Sequence, residues 1–151
     1  KQLRGFRLQT LNRPIIKNQA LLTWAENAVV TVNTLTSSNY EQQLNTSFTA
    51  YFTQNGAKSL MNALKSKGVI DAIVTKKLSI TAVVQGAPIL LDSGILFGKY
   101  IWKIQIPILL TYESLSEREP YQQLVTLTVA EVNTTQNPLG IAIDQYTSQK
   151  R

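Results

Sequence analysis

The sequence contains no cysteine and no histidine among its 151 residues. The lack of cysteine excludes disulfides, thiolate nucleophiles and thiolate-ligated zinc. The lack of histidine removes the side chain that titrates nearest neutral pH and that most often serves as general base or transition-metal ligand. We therefore expect no catalytic residues, no metal site and no cofactor.

Charged residues are also scarce, at 16% of the chain, and no run of eighteen apolar residues offers a membrane-spanning helix. The apolar content of 44% fits one globular domain, which at this length buries about 70% of the surface of the unfolded chain. The net charge of +6 gathers near the ends, at Lys1, Arg4, Arg7, Arg13, Lys17, Lys150 and Arg151. We predict a basic arm over 1–17, one α+β domain over 18–147, a tail over 148–151, and no specific nucleic-acid binding.

Three segments before residue 68 have the apolar spacing of helices. The first spans 18–35, with Asn18 as its predicted N-cap, and the second is a short helix over 39–44. The third begins after Thr53 as N-cap and ends at Gly68.

After residue 68 the apolar period changes from 3.6 to 2, and β-branched residues become common. The alternating segments are 78–84, 89–91, 102–112, 122–132 and 140–146. The longest of them points one series of large side chains inward: Trp102, Ile104, Ile106, Ile108, Leu110 and Tyr112. Three helices followed by a bent antiparallel sheet of about four strands predict an α+β fold.

Pro107 lies on the opposite face of the longest predicted strand. Proline cannot donate to a β-ladder, so we expect a bulge or a sheet edge at this residue. The inward series of that strand is bulky and apolar, which favours a filled interior over an open ligand cavity.

The segment 94–100 superficially resembles a phosphate-binding loop, but Tyr100 follows Lys99 where Ser or Thr should hold magnesium. It also has three residues between its glycines instead of four, so we predict a hairpin turn. The aromatic residues follow the apolar periods of their segments, which favours core packing over base stacking.

Two groups of carboxylates are candidate sites for metal binding or general-base chemistry. The acidic residues of the loop near Arg118 lack the spacing of a calcium loop, so a solvated loop is favoured. The isolated carboxylates Asp71, Asp92 and Asp144 stand beside predicted turns or strand ends, where Asp is ordinary turn chemistry.

The sequence Asn137-Pro138-Leu139-Gly140 forms the most distinctive local motif. Asn favours Asx-type turns, Pro fixes φ near −65°, and Gly permits a sharp change of direction. We predict a rigid corner before the last strand, with Asn137, Pro138 and Gly140 as a protein-contact site. A plain turn between strands is the alternative.

Four blocks of sequence, in this order and spacing, resemble the IcmL/DotI/TraM family of type IVB secretion and conjugation proteins. They are Ala20 to Ala25, Tyr51 to Gly56, Gly98 to Pro107 and Asn137 to Ile141. The resemblance extends from about residue 10 to residue 147. It implies a fold like nuclear transport factor 2, in which helices pack on a cone-shaped bent sheet.

The resemblance further implies the periplasmic domain of a bacterial inner-membrane protein, with a membrane anchor expected upstream of this chain. It implies a non-catalytic structural subunit whose partners are its own copies and other channel subunits. Asn137, Pro138 and Gly140 match an Asn-Pro-x-Gly motif associated there with protein contacts. A small-ligand binder or an enzyme that uses the same cone remains the alternative.

Overall fold

Residues 16–151, the part of the chain that the computed structural model describes, contain four helices and six strands. The helices are α1 (Asn18–Val32), α2 (Tyr40–Tyr51), α3 (Gln54–Ser66) and α4 (Val69–Lys76). The strands are β1 (Leu35–Thr36), β2 (Ser79–Val84), β3 (Ile89–Leu96), β4 (Lys99–Glu113), β5 (Arg118–Glu131) and β6 (Ile141–Lys150). The predicted basic arm falls almost wholly outside the described residues.

The helices differ from the predicted ones mainly at their ends. Asn18 is the first helical residue of α1 instead of its cap, and Leu35 belongs to β1. The second helix is twice as long as predicted and reaches Tyr51. The predicted cap of α3 is confirmed, because the Thr53 hydroxyl oxygen accepts from the backbone N–H of Gly56 at 2.9 Å.

The helix α4 was not predicted, because the region after Gly68, rich in β-branched residues, was read as having the period of strands, with its first strand at 78–84. Gly68 ends α3 as predicted, with φ at +69°, but the chain then turns and resumes as a helix at Val69. The left-handed conformation, which glycine adopts without steric cost, makes this sharp junction. Val69 and Ile73 then fall one turn apart and are buried together.

The sheet is antiparallel and has the order β1-β2-β4-β5-β6, with β3 paired to β4 beyond the end of β2. Two bulges interrupt the ladders, between Leu90 and Asp92 and between Thr128 and Val129. Bulges increase local twist and bend a strand, which lets the sheet curl around the helices. The predicted α+β class is confirmed, with four helices instead of three and six strands instead of about four.

The core lies between α1, α3 and the concave face of the sheet. The inward series of β4 is confirmed from Trp102 to Leu110, where the side chains are buried, with Ile104 and Ile106 fully so. Gly56 of α3 approaches β6 so closely that an added Cβ would lie 2.0 Å from the carbonyl oxygen of Ile143. This contact closes one side of the cone.

We predicted a bulge or a sheet edge at Pro107, and the bulge is not found, because β4 keeps an unbroken register with β5 through this residue. The interruption lies in the strands on its other side, where β2 ends at Val84 and β3 begins at Ile89. The carbonyl of Pro107 accepts from Gln85 N–H at 2.9 Å, so its nitrogen faces the same gap. The absence of a backbone N–H at Pro107 therefore removes no hydrogen bond between strands.

The C-terminal residues 148–150 were predicted as a tail but lie in β6. Ser148 pairs with Val125, and Lys150 pairs with Gln123. The ammonium of Lys67 also donates to the carbonyl of Ser148 at 3.0 Å and to its hydroxyl at 2.6 Å. These bonds extend the strand beyond the apolar alternation on which the sequence prediction depended.

Candidate functional site

The corner between β5 and β6 is held by the side chain of Asn137, which is only 7% exposed. Its amide nitrogen donates to the carbonyl of Ala50 in α2 at 2.8 Å, and its amide oxygen accepts from the N–H of Leu139 at 3.1 Å. The first bond ties the corner to a helix 87 residues away. The second forms the predicted Asx-type turn.

Gly140 completes the corner with a φ of +74°, a conformation that side chains disfavour. Its N–H donates to the carbonyl of Asn137, and its own carbonyl accepts from Val132, both at 2.8 Å. Asn137 and Gly140 thus serve the fold from inside. Pro138 and Leu139 point outward, and Leu139 is 58% exposed.

The interior of the cone contains a small cavity of about 40 Å³ between α3, α4 and the sheet. Its lining includes Lys67, Tyr112, Tyr146 and apolar residues of β2 and β4, and no carboxylate is among the described residues that line it. The volume holds about one water molecule and is far below the ~300 Å³ of a typical ligand pocket.

Two polar side chains beside this cavity are affected by burial. The phenol oxygen of Tyr146 accepts from the amide of Asn33 at 2.8 Å, and burial raises the pKa of Tyr146 to about 12. Partial burial lowers the pKa of Lys67, whose ammonium donates to Ser148 at the rim. Both groups are hydrogen-bonded within the fold.

The predicted carboxylates do not converge. Asp71 is in α4, Asp92 in β3 and Asp144 in β6, where the Asp144 carboxylate accepts from Thr53 at 2.9 Å. Asp92 accepts from the backbone N–H of Ser93 at 2.9 Å. Over residues 16–151, no group of three or more acidic side chains has an arrangement that would hold a metal ion.

The hairpin of β3 and β4 was not recognised from the sequence as a surface of interest. Its turn consists of Phe97 and Gly98, with φ angles of +51° and +78°, while Gly94 lies within β3. Phe97 is 95% exposed, and Ile89, Leu91 and Leu96 of β3 are also largely exposed. The sequence feature that could have identified this surface is Phe97, a bulky apolar residue at a turn position that favours Asn or Gly.

Comparison with solved structures defines the class of protein. The periplasmic domain of DotI is 36% identical, with a TM-score of 0.86, and the match covers 91% of this chain and 98% of that domain. A periplasmic fragment of TraM is 21% identical, with a TM-score of 0.84 and coverage of 91% and 100%. An IcmL-like type IV secretion protein from Legionella pneumophila is 20% identical, with a TM-score of 0.78 and coverage of 90% and 94%.

These matches place the chain in the class of periplasmic domains from inner-membrane components of type IV secretion systems. A family model described as a type IVb secretion system, inner-membrane complex component matches residues 3–150. The chain belongs to this DotI/IcmL family. Comparison with curated sequences gives no match. Within residues 16–151, no helix is long and apolar enough to cross a membrane.

Proposed function

We propose that this chain is a non-catalytic assembly subunit of a type IVB secretion or plasmid conjugation apparatus. It lies in the periplasm as the domain of an inner-membrane protein, associates with its own copies and docks other channel subunits. The observation that carries this proposal is the rigid corner, because a fixed backbone that presents exposed apolar atoms suits recognition by another protein.

The corner divides into a supporting part and a presented part. Asn137 and Gly140 use their polar groups inside the chain, so their role is to hold the shape. Pro138 and Leu139 are exposed, and theirs are the side chains that a partner would contact. A fixed Pro-Leu step is ordered before binding, so docking on it costs little conformational entropy.

The test replaces the presented part and leaves the supporting part intact. Leu139→Ser should leave thermal unfolding of the domain unchanged and should reduce transfer by the secretion apparatus at least about tenfold, the effect of one buried interface anchor. Val83→Ser is the matched control, because Val83 of β2 is 56% exposed and lies outside the corner.

Equal transfer by the two variants would show that the corner is only a turn. A fall in transfer with Leu139→Ser alone, with the folded domain present at normal abundance, would support a docking surface there.

A further inference from the structure

β3 is an edge strand, since among the described residues it pairs only with β4. The odd-numbered residues of β4 direct their backbone N–H and C=O groups towards β2 and β3, because the carbonyl of Pro107 accepts from Gln85 on that side. Asp92 and Gly94 are paired with odd-numbered residues of β4, so their backbone groups face β4. Ser93 and Ile95 therefore direct their backbone groups away from β4. In agreement, Ser93 N–H donates to the Asp92 carboxylate instead of to β4.

This edge has few of the features that prevent pairing with another chain. Natural edges carry Lys, Pro or a short length, whereas β3 spans eight residues with one charge, Asp92. Four of the nine largely exposed large apolar residues of the described chain lie on β3 and its turn: Ile89, Leu91, Leu96 and Phe97. The bulge at Leu91 is the main irregularity of the strand.

Gly94, in the middle of β3, has no reason within this chain to be glycine. Its φ is not positive, and no atom lies within 4 Å of the position that a Cβ would occupy. Glycine weakens a strand interior and often marks the close approach of another backbone. The missing side chain leaves a groove of about 220 Å³, whose lining includes Leu96, Ile101 and Lys103.

We propose that β3 pairs antiparallel with β3 of a second copy of this chain, about a two-fold axis at Gly94. This register places Ser93 opposite the partner's Ile95 and Ile95 opposite the partner's Ser93. Both residues direct backbone groups outward, so the two pairs exchange up to four hydrogen bonds. Ser93 N–H then exchanges the Asp92 carboxylate for the partner's carbonyl.

The same register matches the side chains along the edge. Exposed Leu91 falls opposite the partner's Phe97, which gives the exposed phenyl ring an apolar neighbour. On the groove face, Leu96 lies diagonal to the partner's Gly94, within the reach of a long side chain. Asp92, which is paired with Lys103 of its own β4, falls opposite the partner's Leu96, and the partner's Lys99 lies one strand further on, so no like charges face each other across this contact.

A second copy is the occupant that the geometry favours, because the edge is complementary to itself when rotated about Gly94. One pair of short strands is a small contact, and on its own it associates weakly. Attachment of both copies to one membrane would raise their effective concentration and make the contact persist. This inference deepens the self-association in the proposed function and rests on it.

The absence of cysteine allows a direct test with single substitutions. At a non-hydrogen-bonded antiparallel pair the Cα atoms are about 4.5 Å apart, a distance that a disulfide spans. The purified chain with Gly94→Cys should therefore form a disulfide-linked dimer at least about tenfold faster than the chain with Val83→Cys. Val83 is the control because it is exposed on β2, away from this edge.

A second variant tests the strand register. Adding Ser93→Pro to Gly94→Cys removes an outward donor and no bond to β4, so cross-linking should fall to the rate of Val83→Cys while cooperative melting is retained. Equal cross-linking at positions 94 and 83, or persistence of the position-94 link with Ser93→Pro, would overturn the pairing. The measurement needs no secretion apparatus, so its failure is distinguishable from failure of the corner in transfer.

Discussion

Gly56 and Gly94 stand in the two contrasting regions of this domain. Gly56 lies where α3 packs on β6, and an added Cβ would meet the backbone of Ile143. Gly94 lies in the β3–β4 hairpin, where the same atom would meet nothing within 4 Å. In the first region contacts inside the chain explain the residue. In the second they do not, which directs attention to contacts outside the chain.

The largest expected effect is at Gly56. Gly56→Ala places a methyl group 2.0 Å from the carbonyl oxygen of Ile143, and neither backbone can move without separating α3 from β6. Although Ala is the better helix former, we expect a loss of about 3 kcal/mol or more in the free energy of unfolding. Chemical denaturation of the variant and the parent chain measures it. A loss below about 1 kcal/mol would show that α3 is free to shift.

The next effect is at the supporting part of the corner. Asn137→Ala removes the two partly buried bonds that its side chain makes, to the carbonyl of Ala50 and from the N–H of Leu139. We expect a loss of about 1–3 kcal/mol in the free energy of unfolding. Leu139→Ser should change it by less than about 0.5 kcal/mol, because an exposed side chain loses little packing. Equal losses in the two variants would contradict the division of the corner.

The buried hydroxyl of Tyr146, beside the interior cavity, predicts that the stability of the domain depends on pH at alkaline pH. Burial raises the pKa of Tyr146 to about 12 from 10.0, so the folded state keeps the proton after the unfolded chain has lost it. This contribution to stability is complete below pH 10 and is lost as the pH rises from 10 towards 12. At pH 11 it has decreased by about 1.4 kcal/mol.

Tyr146→Phe should remove that part of the alkaline destabilisation, because phenylalanine has no hydroxyl to titrate. The variant should still fold, since the amide of Asn33 keeps its bond to the carbonyl of Val29. Denaturation at pH 8 and pH 11 for both proteins gives the comparison. An identical pH dependence in the two proteins would show that Tyr146 is not protected in the folded state.

The sequence predicted those parts of the fold that depend on local periodicity. The inward series of β4 and the cap at Thr53 were correct, because alternation and capping act over a few residues. It could not reveal the bond from Asn137 to Ala50, which joins residues 87 positions apart. The helix α4 was missed because β-branched residues there pack at helical spacing, so tertiary contacts outweigh their propensity.

The hairpin turn predicted over 94–100 is confirmed, but the exposed apolar surface of β3 was missed, for a different physical reason. Two glycines, at 94 and 98, both suggested turn positions, and only the φ angles show that Gly98 turns while Gly94 extends β3. The turn position next to Gly98 is filled by Phe97, whose φ of +51° is uncommon for a bulky residue. No local rule predicts a bulky residue at this turn position, and the exposed ring of Phe97 makes little contact within this chain that could stabilise it.

The smallest expected effect on stability is at Gly94, and it completes the comparison with Gly56. Gly94→Ala should leave the free energy of unfolding unchanged or raise it by about 0.5 kcal/mol, because Ala restricts the unfolded chain and its methyl group enters open space. The same substitution in two glycines should thus differ by about 3 kcal/mol or more. A loss at Gly94 comparable with that at Gly56 would mean that this face of β3 is packed within the chain, and the open space beside Gly94 would not exist in solution.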